Sequence, residues 1–304
     1  MMKRIALPLL ITSAVALAAC GAEDSTTGGG GGGGSSANAP TPAAMLTNAI
    51  TATTGQKSAA FQVTASVAGS SDDPQIKPFL EKPIKLDISG KGGANAIDIA
   101  GKANVAGQDY QMGIRADDQQ SFIQFMNTWY GPDKGIKDTT SSTATDPAEL
   151  KQALLKLRQY GNDVLKGEVT EGDEVDGQKT WQFDGTLNPD GIVKVAAAEG
   201  QPMSADDQAG LRAIAPLVKL RFATGQKDGL LYLLGIDFKL SEAQIKLLNG
   251  AAGSSQVPLN SLAVSMTIKL SDYGTPVTIQ APPNPQPTKA LGGALLGAMF
   301  SMTG

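Results

Sequence analysis

From about residue 58 onward the chain repeatedly alternates apolar and polar side chains with a period of two. Phe61, Val63, Ala65 and Val67 share one parity, and so do Ile84, Leu86 and Ile88. The pattern recurs at Ile97, Ile99, Ala103 and Val105, then at Tyr110, Met112 and Ile114 beyond a turn at Ala106-Gly107. It returns over residues 167–175, 180–187, 218–224 and 229–240, and last at Leu262, Val264, Met266, Ile268 and Leu270. Successive side chains of a strand point to opposite faces, so this alternation predicts strands with one buried and one solvated face. The connections are short, which favours hairpins over parallel crossovers. Asp176-Gly177 carries the signature of a type I′ hairpin turn. Over residues 121–130, Phe122, Ile123, Phe125, Met126 and Trp129 fall on both parities, and the pattern assigns no buried face.

Helical periodicity is rarer. Thr41-Pro42 reads as N-cap and first helical residue ahead of Met45, Leu46, Ala49 and Ile50. Asp146-Pro147 with Glu149 opens a helix carrying Leu150, Leu154 and Leu157, which Gly161 is expected to end. Asn188-Pro189-Asp190 opens another, bearing Ile192, Val193 and Val195. Ser204 with Asp207 opens a third, with Leu211 and Ile214, stopped by Pro216. Ser241 with Gln244 caps a short helical insertion. The elements predict an α+β fold: a curved antiparallel sheet of about ten strands, a half-barrel, with helices packed on its concave face. So few helices over so broad a face leave either a filled core or a cleft, and the pattern fits both.

The first twenty residues differ from everything after them. Lys3 and Arg4 precede an apolar run over residues 5–17, closed by Leu17-Ala18-Ala19-Cys20. The run is too short and wrongly flanked for a lasting transmembrane helix and reads as an export signal. Its end resembles a bacterial lipobox, which implies cleavage before Cys20 and acylation of that thiol. Cys20 is the only cysteine in 304 residues, so an internal disulfide is impossible. An ordinary secretory signal with an incidental cysteine is the alternative. Residues 21–42 are polar and include an unbroken glycine run at 28–34, a flexible tether reaching about 25 Å. The expected organisation is a signal peptide at 1–19, an acylated start and tether at 20–42, one domain at 43–283, and a proline-rich exit with a small apolar tail at 284–304. That tail, apolar from Ala290 to Met302, is too short to span a bilayer.

Composition narrows the chemistry. Histidine is absent, which removes the commonest general base and metal ligand, and acylation of Cys20 would leave no thiolate. Loss of Lys3 and Arg4 with the signal leaves 23 basic against 29 acidic residues, a net charge of −6, which argues against nucleic acid as a partner. Glu171, Asp173, Glu174 and Asp176 lack the carboxylate ladder of a calcium loop and read as a solvated strand edge. Asp72-Asp73, Asp117-Asp118 and Asp206-Asp207 fall at loops and helix starts, where Asp is favoured locally. Trp129 and Trp181 could stack on a sugar, but packing on the sheet is the simpler reading. No metal and no cofactor is expected.

A lipobox, a polar tether, an N-terminal helix and then strands follow the order of the LppX/LprAFG lipoproteins of actinobacterial envelopes. Asn127-Thr128-Trp129-Tyr130 resembles that family's tryptophan-bearing strand end. Asp176-Gly177 to Asn188-Pro189-Asp190 resembles its hairpin leading into a helix, and Ser271-Asp272-Tyr273-Gly274-Thr275-Pro276-Val277 its closing strand pair. The resemblance runs along residues 41–283. It implies a half-open antiparallel barrel related in shape to the LolA/LolB carriers, holding acyl chains in a hydrophobic cavity between sheet and helices. The uniform glycine tether, the inserted stretch 241–258 and the apolar tail depart from it. Cavity residues in that family follow no fixed motif. The lining expected here is Leu150, Leu154, Leu157, Val193, Leu211 and Ile214 of the helices facing Met112, Trp181 and Phe183 of the strands.

The function expected is that of a non-enzymatic lipoprotein, anchored through Cys20 on the extracytoplasmic face of the cell membrane. It would bind or carry acyl chains of envelope lipids or glycolipids, with an envelope transporter or another lipoprotein as partner. The alternative is an envelope sensor or scaffold with a filled core; a carboxylate-dependent hydrolase is a weaker third. Replacing the thiol tests the anchor: Cys20→Ser is expected to abolish metabolic labelling by palmitate. It should also move the protein from the detergent phase to the aqueous phase on Triton X-114 partition. Labelling that survives the substitution would exclude Cys20 as the acylated residue.

Overall fold

The computed structural model describes residues 39–132, 147–252 and 258–292. Cys20, the leader, the tether, the loop at 133–146 and the apolar stretch after residue 292 lie outside the described residues. One sheet of twelve strands organises the chain. It is open and curved rather than closed into a barrel. Its strands are β1 (Ser58–Ser70), β2 (Ile84–Gly93), β3 (Ala96–Val105), β4 (Gln108–Asp117), β5 (Ser121–Phe125) and β6 (Thr128–Gly131), then β7 (Leu165–Val175), β8 (Gln178–Leu187), β9 (Lys219–Gly225), β10 (Leu231–Leu240), β11 (Ser261–Ser271) and β12 (Gln286–Pro287). Their order across the sheet is β12-β6-β5-β4-β3-β2-β1-β11-β10-β9-β8-β7. Two antiparallel meanders, β1 to β6 and β7 to β11, are thus joined along the β1–β11 seam, and only β12 pairs in parallel.

The hairpins follow their turn chemistry. Ala106 and Gly107 have φ 53° and 86°, and Asp176 and Gly177 have φ 50° and 75°, the paired left-handed conformations of type I′ turns. The strand count exceeds the ten expected because residues 121–131 split into two short strands and β12 comes from the proline-rich exit. The register also settles the mixed parity there. Ile123 pairs with Ile114 and shares the apolar face, whereas Phe122 pairs with Arg115 on the polar face. Phe122 is nevertheless buried, because Gly131 and Pro285 close over its side.

The helices are α1 (Pro42–Thr54), the one-turn α2 (Lys77–Leu80), α3 (Pro147–Val164), α4 (Pro189–Ala198), α5 (Ala205–Ile214) and α6 (Glu242–Ala252). Their starts are capped as the sequence requires. The Thr41 hydroxyl accepts from the Ala44 amide (3.3 Å) and the Ser204 hydroxyl from the Asp207 amide (3.2 Å). Gln244 Oε1 accepts from the Ser241 amide at 2.7 Å. At α4 the Asn188 side chain instead donates to the Asp163 carbonyl (2.7 Å), tying the start of one helix to the end of another.

Gly161 does not end its helix, which continues to Val164. Its role is close approach: a Cβ there would lie 2.7 Å from Ala43 Cβ, so only glycine lets α3 cross α1 at this distance. α2 was not foreseen; Asp73, whose carboxylate accepts from the Gln75 amide at 2.8 Å, starts that single turn.

α1 is central to the packing. Ala43, Met45, Thr47, Ala49 and Thr53 are buried, and the helix lies on β7, β9 and β10 and against α3. Beneath it Met45 and Ala49 meet Phe61, Val63, Phe183, Phe222, Leu231, Ile268 and Leu270 in one core. Phe183 and Phe222, cross-strand partners, stack with ring centroids 4.7 Å apart. The C-terminal end of α1 is pinned by polar bonds. The Leu231 amide donates to Thr53 Oγ1 (3.0 Å), and the Tyr273 hydroxyl donates to the Leu231 carbonyl. Tyr232 meets the Tyr273 ring edge-on and donates to Asp228 (2.8 Å). Burial, then the neighbouring Asp228 carboxylate, pushes the Tyr232 phenol well above its ordinary pKa, and burial does the same to Tyr273.

Phe183 and Phe222 expose 0% and 1% of their surface. Truncating either to alanine is expected to cost about 3–5 kcal/mol through lost contacts and a residual cavity. A drop of that size in unfolding free energy by urea titration would confirm the core; a cost under about 1 kcal/mol would not fit it.

Candidate functional site

The described helices do not cover the whole apolar face. α1 lies over β7, β9 and β10, the 3-10 turn Ala215–Leu217 meets β8 and β10, and α6 meets β10. α3, α4, α5 and α6 then pack successively on one another, extending the helical layer outward. No described helix packs closely on β2 through β6. Yet these strands carry the same alternation as the rest of the sheet, because a strand's pattern is fixed locally whether or not a cover exists.

The register lines up apolar side chains on this open half. Ile99, Ile114, Ile123 and Tyr130 are successive cross-strand partners on β3, β4, β5 and β6. In the neighbouring row Met112 pairs with Phe125. Beyond it Ala103 and Tyr110 are buried together, with Leu86, Val105, Met112 and Phe125 packed around them. Ile114 and Ile123 remain 43% and 41% exposed, and Met126 at the β5–β6 turn 42%. Across three strand spacings, β2 to β5 present an apolar surface about 14 Å wide.

The expected cavity residues separate into three places. Phe183 is in the filled core under α1, with Trp181 half-buried against the same cluster. Leu154 and Leu157 are half-buried on α3, to which Leu150 also belongs. Val193 of α4 and Leu211 and Ile214 of α5 are half-buried in the helical layer. Met112 stands apart, on the open half, seven strand positions from β8. Sequence reasoning did not single out Ile114, Ile123 or Phe125. Ile114 continued the β4 alternation and was visible. Ile123 and Phe125 were hidden, because Phe122 and Trp129 point the other way, Trp129 under Arg115 at 4.9 Å.

The opposite face is polar. A depression of about 350 Å³ there is lined by Thr64, Ser66, Lys85, Asp87, Lys102 and Asp109 among others, with Asn104 donating to Asp109 at 2.6 Å. Arg221 and Asp184 pair on this face at 2.8 Å. Burial works against ionisation of Asp184, but the bonds from Arg221 and Gln182 outweigh it and hold its carboxyl below the usual range. Among the described residues no group of three His, Cys, Asp or Glu side chains is placed to hold a metal ion. No described helix is long and apolar enough to cross a membrane. The apolar side chains described on the open half offer van der Waals contact and exclusion of water.

No protein-family model matches the chain, and no curated protein does. Solved structures that align with it include two mycobacterial lipoproteins. Lipoprotein LppX of Mycobacterium tuberculosis is 15% identical, over 78% of this chain and 97% of its own, with a TM-score of 0.35. LprF of Mycobacterium bovis is 16% identical, over 81% and 99%, with a TM-score of 0.36.

The β4–β5 turn that frames the open half rests on Asp117. Its Oδ1 accepts from the Gln119 and Gln120 amides, both at 2.9 Å, and these bonds, the Gln119 bond foremost, hold its carboxyl below the usual range. A depressed pKa contributes stability above the unfolded-state value near 4, lost as pH falls through the folded value. Asp117→Asn should therefore lower the melting temperature slightly at neutral pH and flatten its fall between pH 4 and 2. An unchanged acid limb would contradict the role given to these bonds.

Proposed function

We propose that the chain is a non-catalytic, membrane-tethered extracytoplasmic lipoprotein that shelters acyl chains of a lipid or glycolipid on the open apolar half of its sheet. The observation that carries the reading is the exposed pair Ile114 and Ile123 with Met112 and Phe125 beside it, apolar and without a described helix over it. The tether reading of residues 20–42 supports it by holding that surface within reach of membrane lipids. Each methylene withdrawn from water onto such a surface contributes about 0.8 kcal/mol, so about ten methylenes offset much of the cost of leaving a bilayer. Of the cavity residues expected from sequence, Met112 belongs to this surface, while Phe183 serves the core.

The filled core around Phe183 and Phe222 favours a second reading, an envelope sensor or scaffold that holds no lipid. The two part on binding. Protein made in its native host should release lipid on organic extraction, seen by mass spectrometry, and the purified chain should bind cis-parinaric acid. Ile114→Asp combined with Ile123→Asp should weaken that binding at least tenfold by placing charge against the acyl chain. Both positions are exposed, so the melting temperature should move by only a few degrees. An empty extract with no probe binding, or binding untouched by the double substitution, would sink the acyl-chain reading.

A further inference from the structure

The open face has a candidate occupant within the same chain. After β11 the backbone runs across the strand ends rather than away from the sheet. The Ser58 carbonyl accepts from the Gly274 amide (2.9 Å), and Val277 lies against Gly93. Arg115 reaches the Gln280 carbonyl, and Pro285 lies against Gly131. β12 then pairs with β6, and Thr288 is held at Gly131 by its amide (3.0 Å) and its hydroxyl (2.5 Å). This strap brings Thr288 to the edge of β6, whose Tyr130 ends the row containing Ile123 and Ile114.

The residues that follow suit that surface. From Ala290 to Gly304 there is no charged side chain, and Leu295, Leu296, Met299, Phe300 and Met302 are large and apolar. The stretch at 133–146, which also leaves from β6, carries Asp133, Lys134, Lys137, Asp138 and Asp146 and one large apolar residue, Ile136. It would bury charge on an apolar face, at a cost its single isoleucine could not offset. Residues 293–304 reach about 18 Å if helical and about 40 Å if extended. Crossing from β6 to β3 takes about 14 Å.

We propose that residues 293–304 seat on the apolar face of β3 to β5 and give way to an acyl chain, so that ligand and tail compete for one surface. The competition rests on the acyl-chain reading above; the seating of the tail does not. The test uses the full chain carrying Cys20→Ser, with Leu296→Cys added. A second cysteine is placed either at Ile123→Cys, on the apolar face, or at Lys102→Cys, on the polar face of β3. Mild oxidation should give the 123–296 disulfide in clear excess over the 102–296 control, and cis-parinaric acid should suppress it. The chain stopped after Gly292 should bind that probe several-fold more tightly than the full chain. Cross-linking no greater than the control, with binding unchanged by truncation, would overturn the proposal and leave the acyl-chain reading standing. Binding absent from both forms would overturn that reading, and the competition with it, whatever cross-links form. The cross-link is read on the full chain, so misfolding of the truncated form cannot mask it.

Discussion

A sheet of twelve strands with one apolar face must cover that face, and the described helices pack on only part of it. Burial of apolar area is the dominant favourable term in folding. The distribution of cover therefore decides which part of the sheet is core and which part is surface. Over β7 to β10 the cover is complete enough that Phe183 and Phe222 are sealed from water. On β4 and β5 the same alternation leaves Ile114 and Ile123 more than 40% exposed. The functional reading depends on this asymmetry.

α1 sets the boundary between the two halves. It reaches the core with Met45 and Ala49, and α3 crosses it where Gly161 meets Ala43. Its far end is fixed by Thr53, Leu231 and Tyr273 through bonds buried beneath the helix. The helices that follow pack one on the next from α3, and the chain returns to the sheet through Ala215–Leu217 on β8 and β10 and α6 on β10, so none of them packs closely on β2 to β6. The strap after β11 reinforces the arrangement from the other side. By covering Phe122 and tying Gly131, it stabilises the short strands β5 and β6, the first of which bears the exposed Ile123.

Much of the fold was legible because its determinants are local. Period-two alternation, the turns at Ala106-Gly107 and Asp176-Gly177, and the caps at Thr41 and Ser204 each act over a few residues. What failed to show was set by distant partners. Gly161 looked like a helix stop because its real constraint, Ala43, is more than a hundred residues away in sequence. Residues 121–130 had no readable face because Phe122 and Trp129 are covered by a strap and by an arginine that no local pattern announces. The site was legible only in part for the same reason. Met112 was picked out as apolar and strand-borne, but which apolar strands lie under helices is a property of α1's anchoring, not of the strands. Trp181 and Phe183 have patterns no different from that of Ile114, and packing alone assigns them to the core.

The central claim is that acyl chains meet β3 to β5 and not the core under α1. Isoleucine methyl labelling with nuclear Overhauser measurements on a chain bound to a deuterated-headgroup lipid with protonated acyl chains addresses it most directly. The account predicts cross-peaks from acyl methylenes to the methyls of Ile114 and Ile123, and none to Ile268. Cross-peaks confined to Ile268 and its core neighbours, or no contact with any isoleucine, would contradict it.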